Sequence, residues 1–256
     1  MGLKNNKNKM KIVLQKLIAE SGKCSRRQAE DLIRSGKVLL NGEEAFLGQR
    51  AEAGVDVVEV EGEILGEARD FIYLKFNKPA GYVSTTAGFP NEKSIFELVS
   101  LEEKLFPVGR LDKDSRGLML LTNDGDLAQK LSHPRYEHEK IYEARVKFVG
   151  KSFGDDREGE LAPERVVKLM EKGFDIGEGD GLARAKKVEC LQRGFFRITL
   201  TEGKKRQIRR MFMELGFKIL DLKRVELAGL KIAGLPEGSW DYLSEEELSD
   251  LKRGTR

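Results

Sequence analysis

Two aspartates in a polar segment are the first residues of this sequence that suggest chemistry. Asp112 and Asp114 lie within Gly109–Gly117, next to Arg110 and Lys113. Neighbouring cations favour the ionised carboxylate, which a nucleophile or a general base requires. The same run also matches the first half of a calcium loop, a glycosidase carboxylate pair, or an Asx-type turn between strands. Spacing alone leaves these four interpretations open.

Metal chemistry has little support in the sequence. Asn123 occupies the twelfth position of the would-be calcium loop, where a bidentate glutamate is needed. His133 and His138 are five residues apart, which does not place them on one helical face. Cys24 and Cys190 are far apart, so neither a disulfide framework nor a cysteine-rich zinc site is expected. We therefore predict no metal ion and a reducing, cytoplasmic location.

Basic residues concentrate at the beginning of the chain. The first 50 residues contain 11 Lys and Arg against 5 Asp and Glu, whereas the whole chain has a net charge of +3. Two of them, Arg26 and Arg27, fall in the first turn of a predicted helix, where the macrodipole disfavours cations by about 0.3–1 kcal/mol each. A bound phosphate would offset that cost, and a solvated basic surface is the alternative. The predicted RNA-binding residues here are Lys23, Arg26, Arg27, Arg34 and Lys37.

A second basic segment extends from Glu202 to Arg224, with 8 Lys and Arg against 3 Asp and Glu. Its apolar residues recur at i, i+3, i+4 and i+7, which predicts an amphipathic helix over Arg206–Leu215. Basic side chains would then occupy the remaining surface, either solvated or facing RNA phosphates. The predicted RNA contacts in this segment are Lys204, Lys205, Arg206 and Arg210.

The elements that position these residues form two predicted domains. Residues 1–62 are expected to hold two helices and a small sheet, residues 63–70 a linker, and residues 71–256 a larger domain. In the first domain we predict a helix over residues 11–20 that includes Ile12 and Val13, and a second helix with a capping box between Ser25 and Gln28. Strands are expected at Val38–Leu40 and over residues 55–60, and Asn41-Gly42 predicts a tight turn after the first of them.

The larger domain mixes strands and helices without strict alternation, which favours an α+β fold over a doubly wound parallel sheet. No run approaches the roughly 18 apolar residues of a membrane helix, and no secretory signal is expected. Predicted elements are strands at Phe71–Phe76, Leu118–Leu121, Ile141–Phe148 and Phe195–Thr201, a turn at Asn77–Gly81, and helices at Ser94–Val99, Asp126–Leu131 and from Pro163 to Gly173.

Four runs of residues carry a family resemblance. In chain order they are Lys78–Gly81, Val108–Gly125, Lys140–Tyr142 and Glu202–Phe212. Their composition, order and spacing resemble the bacterial ribosomal pseudouridine synthases of the RsuA type. Residues 10–60 resemble the small RNA-binding domain shared with ribosomal protein S4. The resemblance therefore implies a small S4-like α/β RNA-binding domain followed by a catalytic domain with a mixed, mainly antiparallel sheet.

The resemblance also implies a reaction and roles for individual residues. The family breaks the C1′–N1 bond of a uridine, turns the uracil and joins C1′ to C5, without a cofactor or metal. Asp112 matches its catalytic aspartate, Tyr142 the tyrosine that stacks on the base, and Arg209 the cation that pairs with the aspartate. For substrate binding, Ile208 matches the apolar residue against the uracil and Arg110 the arginine that displaces the base.

The target is less well indicated than the reaction. The tail from Leu235 to Leu248 looks closest to family members that act on large-subunit rRNA, so we expect a 23S rRNA uridine, free or in a ribosomal precursor. The alternatives are 16S rRNA, tRNA, or a non-catalytic RNA-binding or ribosome-assembly factor on the same fold. We expect a monomer with no membrane partner. The segment Asp155–Gly159 matches no motif and is assigned no role.

Overall fold

In the computed structural model the chain divides into two units, Met1–Phe71 and Ile72–Arg256. The structure describes residues 11–66, 69–85, 90–150 and 160–255. Within these ranges no helix combines the length and apolar character needed to cross a bilayer. The segment Asp155–Gly159 lies outside the described residues.

The first unit contains two helices and two small sheets. Strands β2, β3, β5 and β6 form an antiparallel sheet in the order β3-β2-β5-β6, and β1 pairs with β4. The core between helices and sheet is apolar and includes Leu14, Ile18, Ala29, Ile33 and Val60. The elements are β1 Ile12–Val13, α1 Leu14–Glu20, α2 Arg26–Arg34, β2 Val38–Leu40, β3 Glu43–Glu44, β4 Arg50–Ala51, β5 Val58–Val60 and β6 Glu63–Ile64.

Two local sequence signals of this unit are confirmed by the structure. The Ser25 hydroxyl accepts a hydrogen bond from the Gln28 amide at 3.3 Å, and the Gln28 side chain accepts one from the Ser25 amide at 3.0 Å. This is the predicted capping box at the start of α2. Asn41 and Gly42 both have positive φ and join β2 to β3 in a tight hairpin, as the Asn-Gly pair predicts.

Three local predictions in the first unit are wrong. Ile12 and Val13 form a strand with Ala51 and Arg50 rather than the first turn of α1, because these β-branched residues meet a partner strand that local periodicity cannot detect. The predicted strand over residues 55–60 begins only at Val58, and the side chains of the two preceding valines are exposed. At the start of the predicted linker, Glu63 and Ile64 instead pair with β5.

The second unit supplies most of the protein's regular structure. Its strands are β7 Tyr73–Lys78, β8 Tyr82–Val83, β9 Lys93–Ser94, β10 Phe106–Pro107, β11 Arg116–Thr122, β12 Lys140–Phe148, β13 Phe174–Asp175, β14 Leu182–Ala183, β15 Lys187–Gln192, β16 Phe195–Leu200, β17 Phe217–Leu227, β18 Leu230–Lys231 and β19 Trp240–Tyr242. Its α-helices are α3 Gly125–Ser132, α4 Pro163–Lys172, α5 Gln207–Glu214 and α6 Glu245–Arg253, with 3₁₀ helices at Ile95–Glu97 and Pro134–Tyr136.

A large mixed sheet runs through this unit in the order β15-β16-β12-β17-β11-β7-β19. Strand β10 pairs with β11 and β18 with β17. Within this sheet the only parallel pairing among the described strands is β11 with β17, so the predicted mainly antiparallel α+β fold is confirmed.

The parallel junction of β11 and β17 requires a glycine. Gly117 lies opposite Arg224 with a φ of +108°, and a Cβ atom there would be only 2.2 Å from the Arg224 carbonyl oxygen. Arg116 on β11 also links the two strands, because its guanidinium donates two hydrogen bonds of 2.7 Å to the carboxylate of Asp221 on β17. The loop before β11 is thereby brought to the strand that follows α5.

Helix α5 packs its apolar face against the sheet. Ile208, Met211 and Phe212 are buried, and the Phe212 ring lies 5.4 Å from that of Phe196 on β16. The predicted amphipathic helix is therefore confirmed, with one difference at its start. Arg206 is not in the first turn but precedes it with a left-handed backbone (φ 51°), which turns the chain into the helix.

Strand β7 is longer than predicted at its end. Asn77 and Lys78, which the sequence assigns to a turn, are strand residues and both are buried. The Asn77 amide and carbonyl bond to Ser239 and Gly238, and Lys78 pairs with Gly117 on β11. These pairing partners lie far along the chain and leave no trace in the local sequence. Pro79 and Gly81 therefore make the whole segment look like a turn.

Candidate active site

A cleft of about 210 Å³ opens on one side of the second unit, where the loop before β11, strand β12, the start of α5 and strand β17 converge. All five residues predicted for catalysis and substrate binding line this cleft. They are Asp112, Tyr142, Arg209, Arg110 and Ile208. They come from three segments of the chain, namely the loop before β11, strand β12 and helix α5.

The Asp112 carboxylate faces two arginines. Its Oδ2 lies 3.7 Å from Nε of Arg209 and 3.8 Å from Nη1 of Arg206. Both distances are too long for hydrogen bonds, so the carboxylate and the two guanidinium groups interact through Coulomb attraction alone. The Asp112 side chain is 33% exposed, which leaves its oxygens accessible from the cleft.

Arg209 is held in place by the loop that carries Asp112. Its Nη2 donates to the Asp114 carbonyl and to the Ser115 hydroxyl, both at 3.0 Å. Its Nε is buried and has no hydrogen-bond partner among the described residues. Burial and the nearby Arg206 lower the pKa of Arg209, and the Asp112 charge opposes that change. A guanidinium remains protonated at neutral pH, so Arg209 presents a fixed positive charge to Asp112.

Lys78, to which the sequence assigns no role, is buried beneath the Asp112 loop and holds its backbone through hydrogen bonds. Its side chain is fully buried, and its Nζ donates to the carbonyls of Pro79, Asp112, Lys113 and Ser115 at 2.6–3.2 Å. Burial lowers the pKa of Lys78 to about 8, although the neighbouring aspartates act in the opposite direction. The ammonium group therefore ties the end of β7 to three carbonyls of the loop. The only sequence signal was the Lys78-Pro79 pair within the family motif.

The Asp112 loop has further internal support. The Ser84 hydroxyl donates to the Leu111 carbonyl at 2.8 Å, and the Leu111 amide donates back to it at 3.3 Å. The Ser115 amide donates to the Asp112 carbonyl at 3.0 Å and closes a turn. The loop thus presents the carboxylate on a braced backbone, which is what a catalytic position needs.

Two side chains provide the apolar part of the cleft. Tyr142 is half-buried on β12, as the alternating pattern of that strand predicts. It packs against two hydrophobic clusters, one that includes Phe196 and Phe212 and one that includes Phe76 and Leu111. Ile208 is 4% exposed and borders the cleft from the first turn of α5. A flat ring beside an aliphatic side chain suits the binding of a planar base.

The basic segment before and within α5 is only partly turned to solvent. Lys204 donates to the Asp180 and Leu182 carbonyls, both at 2.6 Å. The Arg210 side chain is 15% exposed and donates to the Ile176 carbonyl and the Asp180 carboxylate. These two side chains are therefore less exposed than the predicted basic surface implies, because their charged groups bind carbonyls and a carboxylate within residues 176–182. Lys205 and Arg206 remain more exposed.

The predicted RNA-binding residues of the first unit lie on its surface. Arg26 and Arg27 are exposed in the first turn of α2, as predicted. The other three form ion pairs with acidic side chains: Lys23 with Glu63, Arg34 with Asp31 at 3.4 Å, and Lys37 with Glu61 at 2.9 Å. Ion pairs between exposed side chains contribute little to stability, so an RNA phosphate can replace the carboxylate.

Comparison with known families divides the chain into two matched regions. Residues 72–214 match the family model described as RNA pseudouridylate synthase. Residues 14–57 match the S4 domain. The pseudouridylate synthase match thus includes the cleft residues from Val108 to those of α5, whereas the cleft residues of β17 follow it. The S4 match includes α1, α2 and β2.

Curated relatives and a solved structure extend this similarity over most of the chain. The sequence is 38% identical over 241 residues to the dual-specificity RNA pseudouridine synthase RluF of Escherichia coli strain K12, covering 93% of this chain and 77% of the relative. It is 36% identical over 245 residues to the ribosomal large subunit pseudouridine synthase B of Bacillus subtilis, covering 93% and 95%. A crystal structure of a pseudouridylate synthase matches with a TM-score of 0.65 and 27% identity, covering 94% of this chain and 99% of the other.

Proposed function

Because the chain belongs to the RsuA-type family of RNA pseudouridine synthases, we propose that it converts a uridine of 23S rRNA to pseudouridine and that Asp112 is its catalytic aspartate. The family and its curated relatives establish the class of enzyme, an isomerase that acts on RNA. The assignment of Asp112 rests on one observation. Its carboxylate is accessible in the cleft and faces the fixed charge of Arg209 at 3.7 Å.

Asp112 acts on the ribose of the target uridine. It either attacks C1′ as a nucleophile or removes a ribose proton, and in both cases the C1′–N1 bond breaks and the uracil turns before C1′ bonds to C5. The C5 proton is released and N1 gains a proton, so the product is an isomer of the substrate. Arg209 and Arg206 place two positive charges beside the carboxylate that acts in either role.

The remaining cleft residues bind the target nucleotide. Tyr142 stacks on the uracil and Ile208 packs against it, while Arg110 helps displace the base from its helix. Extracting a base from its stack costs a few kcal/mol, which contacts to the RNA backbone must offset. Arg26 and Arg27 of the S4 domain, together with Lys205 and Arg206 near the cleft, supply such contacts.

The relatives guide the choice of RNA. The Bacillus subtilis relative is named for the large ribosomal subunit, which supports 23S rRNA as the substrate. The Escherichia coli relative is named a dual-specificity enzyme, and this favours a second candidate in which tRNA is modified as well. We further propose that the protein acts as a monomer in the cytoplasm, on free rRNA or a ribosomal precursor.

The test uses purified protein and transcripts labelled with tritium at C5 of uridine. We expect tritium release from 23S rRNA, and from tRNA as well if the enzyme has dual specificity. Carbodiimide mapping of RNA from a strain lacking the gene then identifies the uridine. Release from 16S rRNA alone would contradict the proposed target. Binding of all these RNAs without any release would favour a non-catalytic RNA-binding factor.

A further inference from the structure

Two cationic side chains of low exposure line the cleft, and the proposed chemistry uses neither. The Arg224 side chain is 2% exposed; its Nε donates to the Leu118 carbonyl at 2.7 Å, and its buried Nη2 has no hydrogen-bond partner among the described residues. Lys140 is half-buried, and its Nζ donates a long hydrogen bond of 3.4 Å to the His138 carbonyl. Both residues line the same cleft as Asp112.

The described residues place no carboxylate against these two positive charges. Within the described part of the chain, neither Lys140 nor Arg224 forms an ion pair with a carboxylate. Burial and the charge of Arg224 both lower the pKa of Lys140, so the pair is electrostatically unfavourable when the cleft is empty. Two positive charges held close together with little access to water lower the stability of the folded protein. An anion bound between them would remove this repulsion, so the arrangement suits anion binding.

The sheet places this pair next to the expected position of the uracil. Tyr142 on β12 and Arg224 on β17 are directly opposed in the strand register, so their Cβ atoms are about 4.5–5.5 Å apart. Lys140 lies two residues before Tyr142 on the same strand. A nucleotide whose base stacks on Tyr142 therefore has its own backbone within reach of both cations.

We propose that Lys140 and Arg224 form a phosphate-binding subsite for one of the two RNA phosphates that flank the target uridine. This inference rests on the proposed function, because the phosphate belongs to the displaced nucleotide. A phosphodiester supplies the negative charge that the two cations lack, and its oxygens can accept hydrogen bonds from both the ammonium and the guanidinium group. A neutral uracil carbonyl would leave the two charges uncompensated.

The subsite holds the nucleotide in its displaced position. Its contribution therefore affects KM more than kcat, unlike that of Asp112, which acts on the reacting atoms. Hydrogen bonds to charged groups contribute about 1.5–3 kcal/mol, which corresponds to a roughly 10-fold to 100-fold effect on kcat/KM.

The experiment uses a short RNA hairpin that contains the mapped uridine. In two further hairpins an uncharged methylphosphonate replaces the phosphate on the 5′ or the 3′ side of that uridine. Wild-type enzyme should lose about 10-fold to 100-fold in kcat/KM on one of the two modified hairpins. The Lys140→Gln variant should have a raised KM on the normal hairpin and should lose much less on the modified one.

Lys147→Gln is the matched control. Lys147 is an exposed lysine of the same strand that does not line the cleft, so this variant should respond to the methylphosphonates as the wild type does. Thermal unfolding of both variants checks that the fold is retained. Comparing the wild-type enzyme on the normal and the methylphosphonate hairpins needs no variant, so the phosphate subsite can be tested even if Lys140→Gln is unstable.

The outcomes separate this inference from the proposed function. A wild-type enzyme that releases tritium normally from both methylphosphonate hairpins would overturn the phosphate subsite and leave the proposed function intact. An equal penalty in the wild type and in Lys140→Gln would show that other residues bind the phosphate. If the wild type releases no tritium from any RNA, the proposed function itself fails.

Discussion

The Nε atom of Arg209, from the first turn of α5, lies 3.7 Å from the Oδ2 atom of Asp112, in the loop before β11. The guanidinium of Arg209 also donates to the backbone carbonyl of Asp114 and to the Ser115 hydroxyl. One side chain therefore fixes the shape of the loop and sets the electrostatic environment of the carboxylate. This double role explains how the cleft holds the carboxylate in a fixed position beside a positive charge.

Replacing Asp112 with Asn should abolish turnover while the fold and RNA affinity are retained. Asparagine preserves the size of the side chain and its ability to accept hydrogen bonds, but it removes the negative charge and the nucleophilic oxygen. The Asp112 side chain is partly exposed, and among the described residues its carboxylate accepts no hydrogen bond, so the substitution should change the free energy of unfolding little. Tritium release, thermal unfolding and RNA binding measure the three effects.

Asp114→Asn is the matched control for that experiment. The Asp114 carboxylate is 64% exposed, and it lies 3.8 Å from Arg206 rather than facing Arg209. We expect this variant to retain measurable activity. Robust turnover by Asp112→Asn, measured beside it, would contradict the catalytic assignment and favour the non-catalytic RNA-binding function.

Tyr142 should act through its ring more than through its hydroxyl group. Stacking of a base on an aromatic side chain contributes about 1–3 kcal/mol, and only Phe among the simple substitutions retains it. Tyr142→Leu should therefore lose more activity than Tyr142→Phe in a tritium-release assay. If Tyr142→Phe is as poor as Tyr142→Leu, the hydroxyl takes a direct part in the reaction.

Lys78→Met should destabilise the second unit and disturb the Asp112 loop. The substitution leaves the carbonyls of Asp112, Lys113 and Ser115 without their buried donor, and an unsatisfied buried group costs about 1–3 kcal/mol. Urea unfolding should show a lower free energy of unfolding, and kcat should fall as well. Lys75→Met on the same strand is the control, since Lys75 forms its ion pair with Glu247 on α6, away from the cleft.

The pH dependence of stability provides a separate test of Lys78. Burial lowers its pKa in the folded protein to about 8, below the ordinary value of 10.5. Between these two values the unfolded chain binds more protons at this site than the folded one, so this group makes the protein more stable as pH rises from about 8 to about 10.5. Relative to Lys78→Met, the wild type should gain stability over that interval. An identical pH dependence in both proteins would contradict the shifted pKa.

Replacing Arg26 and Arg27 with Ala should weaken RNA binding and reduce its dependence on salt. If each arginine contacts one phosphate, the slope of log affinity against log salt should fall by about 0.7–0.9 per contact. The control replaces Arg165 and Lys168, two exposed cations of α4, and should leave the slope unchanged. An unchanged slope in the Arg26 and Arg27 variant would show that neither residue meets a phosphate.

Patterns within short segments were sufficient for several features. The Ser25–Gln28 capping box, the Asn41-Gly42 turn and the amphipathic helix α5 each depend on residues a few positions apart, so the sequence alone predicts them. The motif around Asp112 also identified the family and singled out the residues that the structure collects in one cleft. In these cases the interactions that form the structure join residues a few positions apart, so residue type and spacing are enough to predict them.

Only the tertiary structure revealed the roles of Lys78, Lys140 and Arg224. Each is a long cationic side chain to which the sequence assigns no individual role in the cleft. The pairing of β11 with β7 and β17, and of β12 with β17, buries Lys78 and Arg224 and leaves Lys140 half-buried. The same holds for Ile12 and Val13, whose strand partner lies far along the chain. Burial, charge compensation and strand pairing depend on contacts between distant segments, and these exist only once the chain has folded.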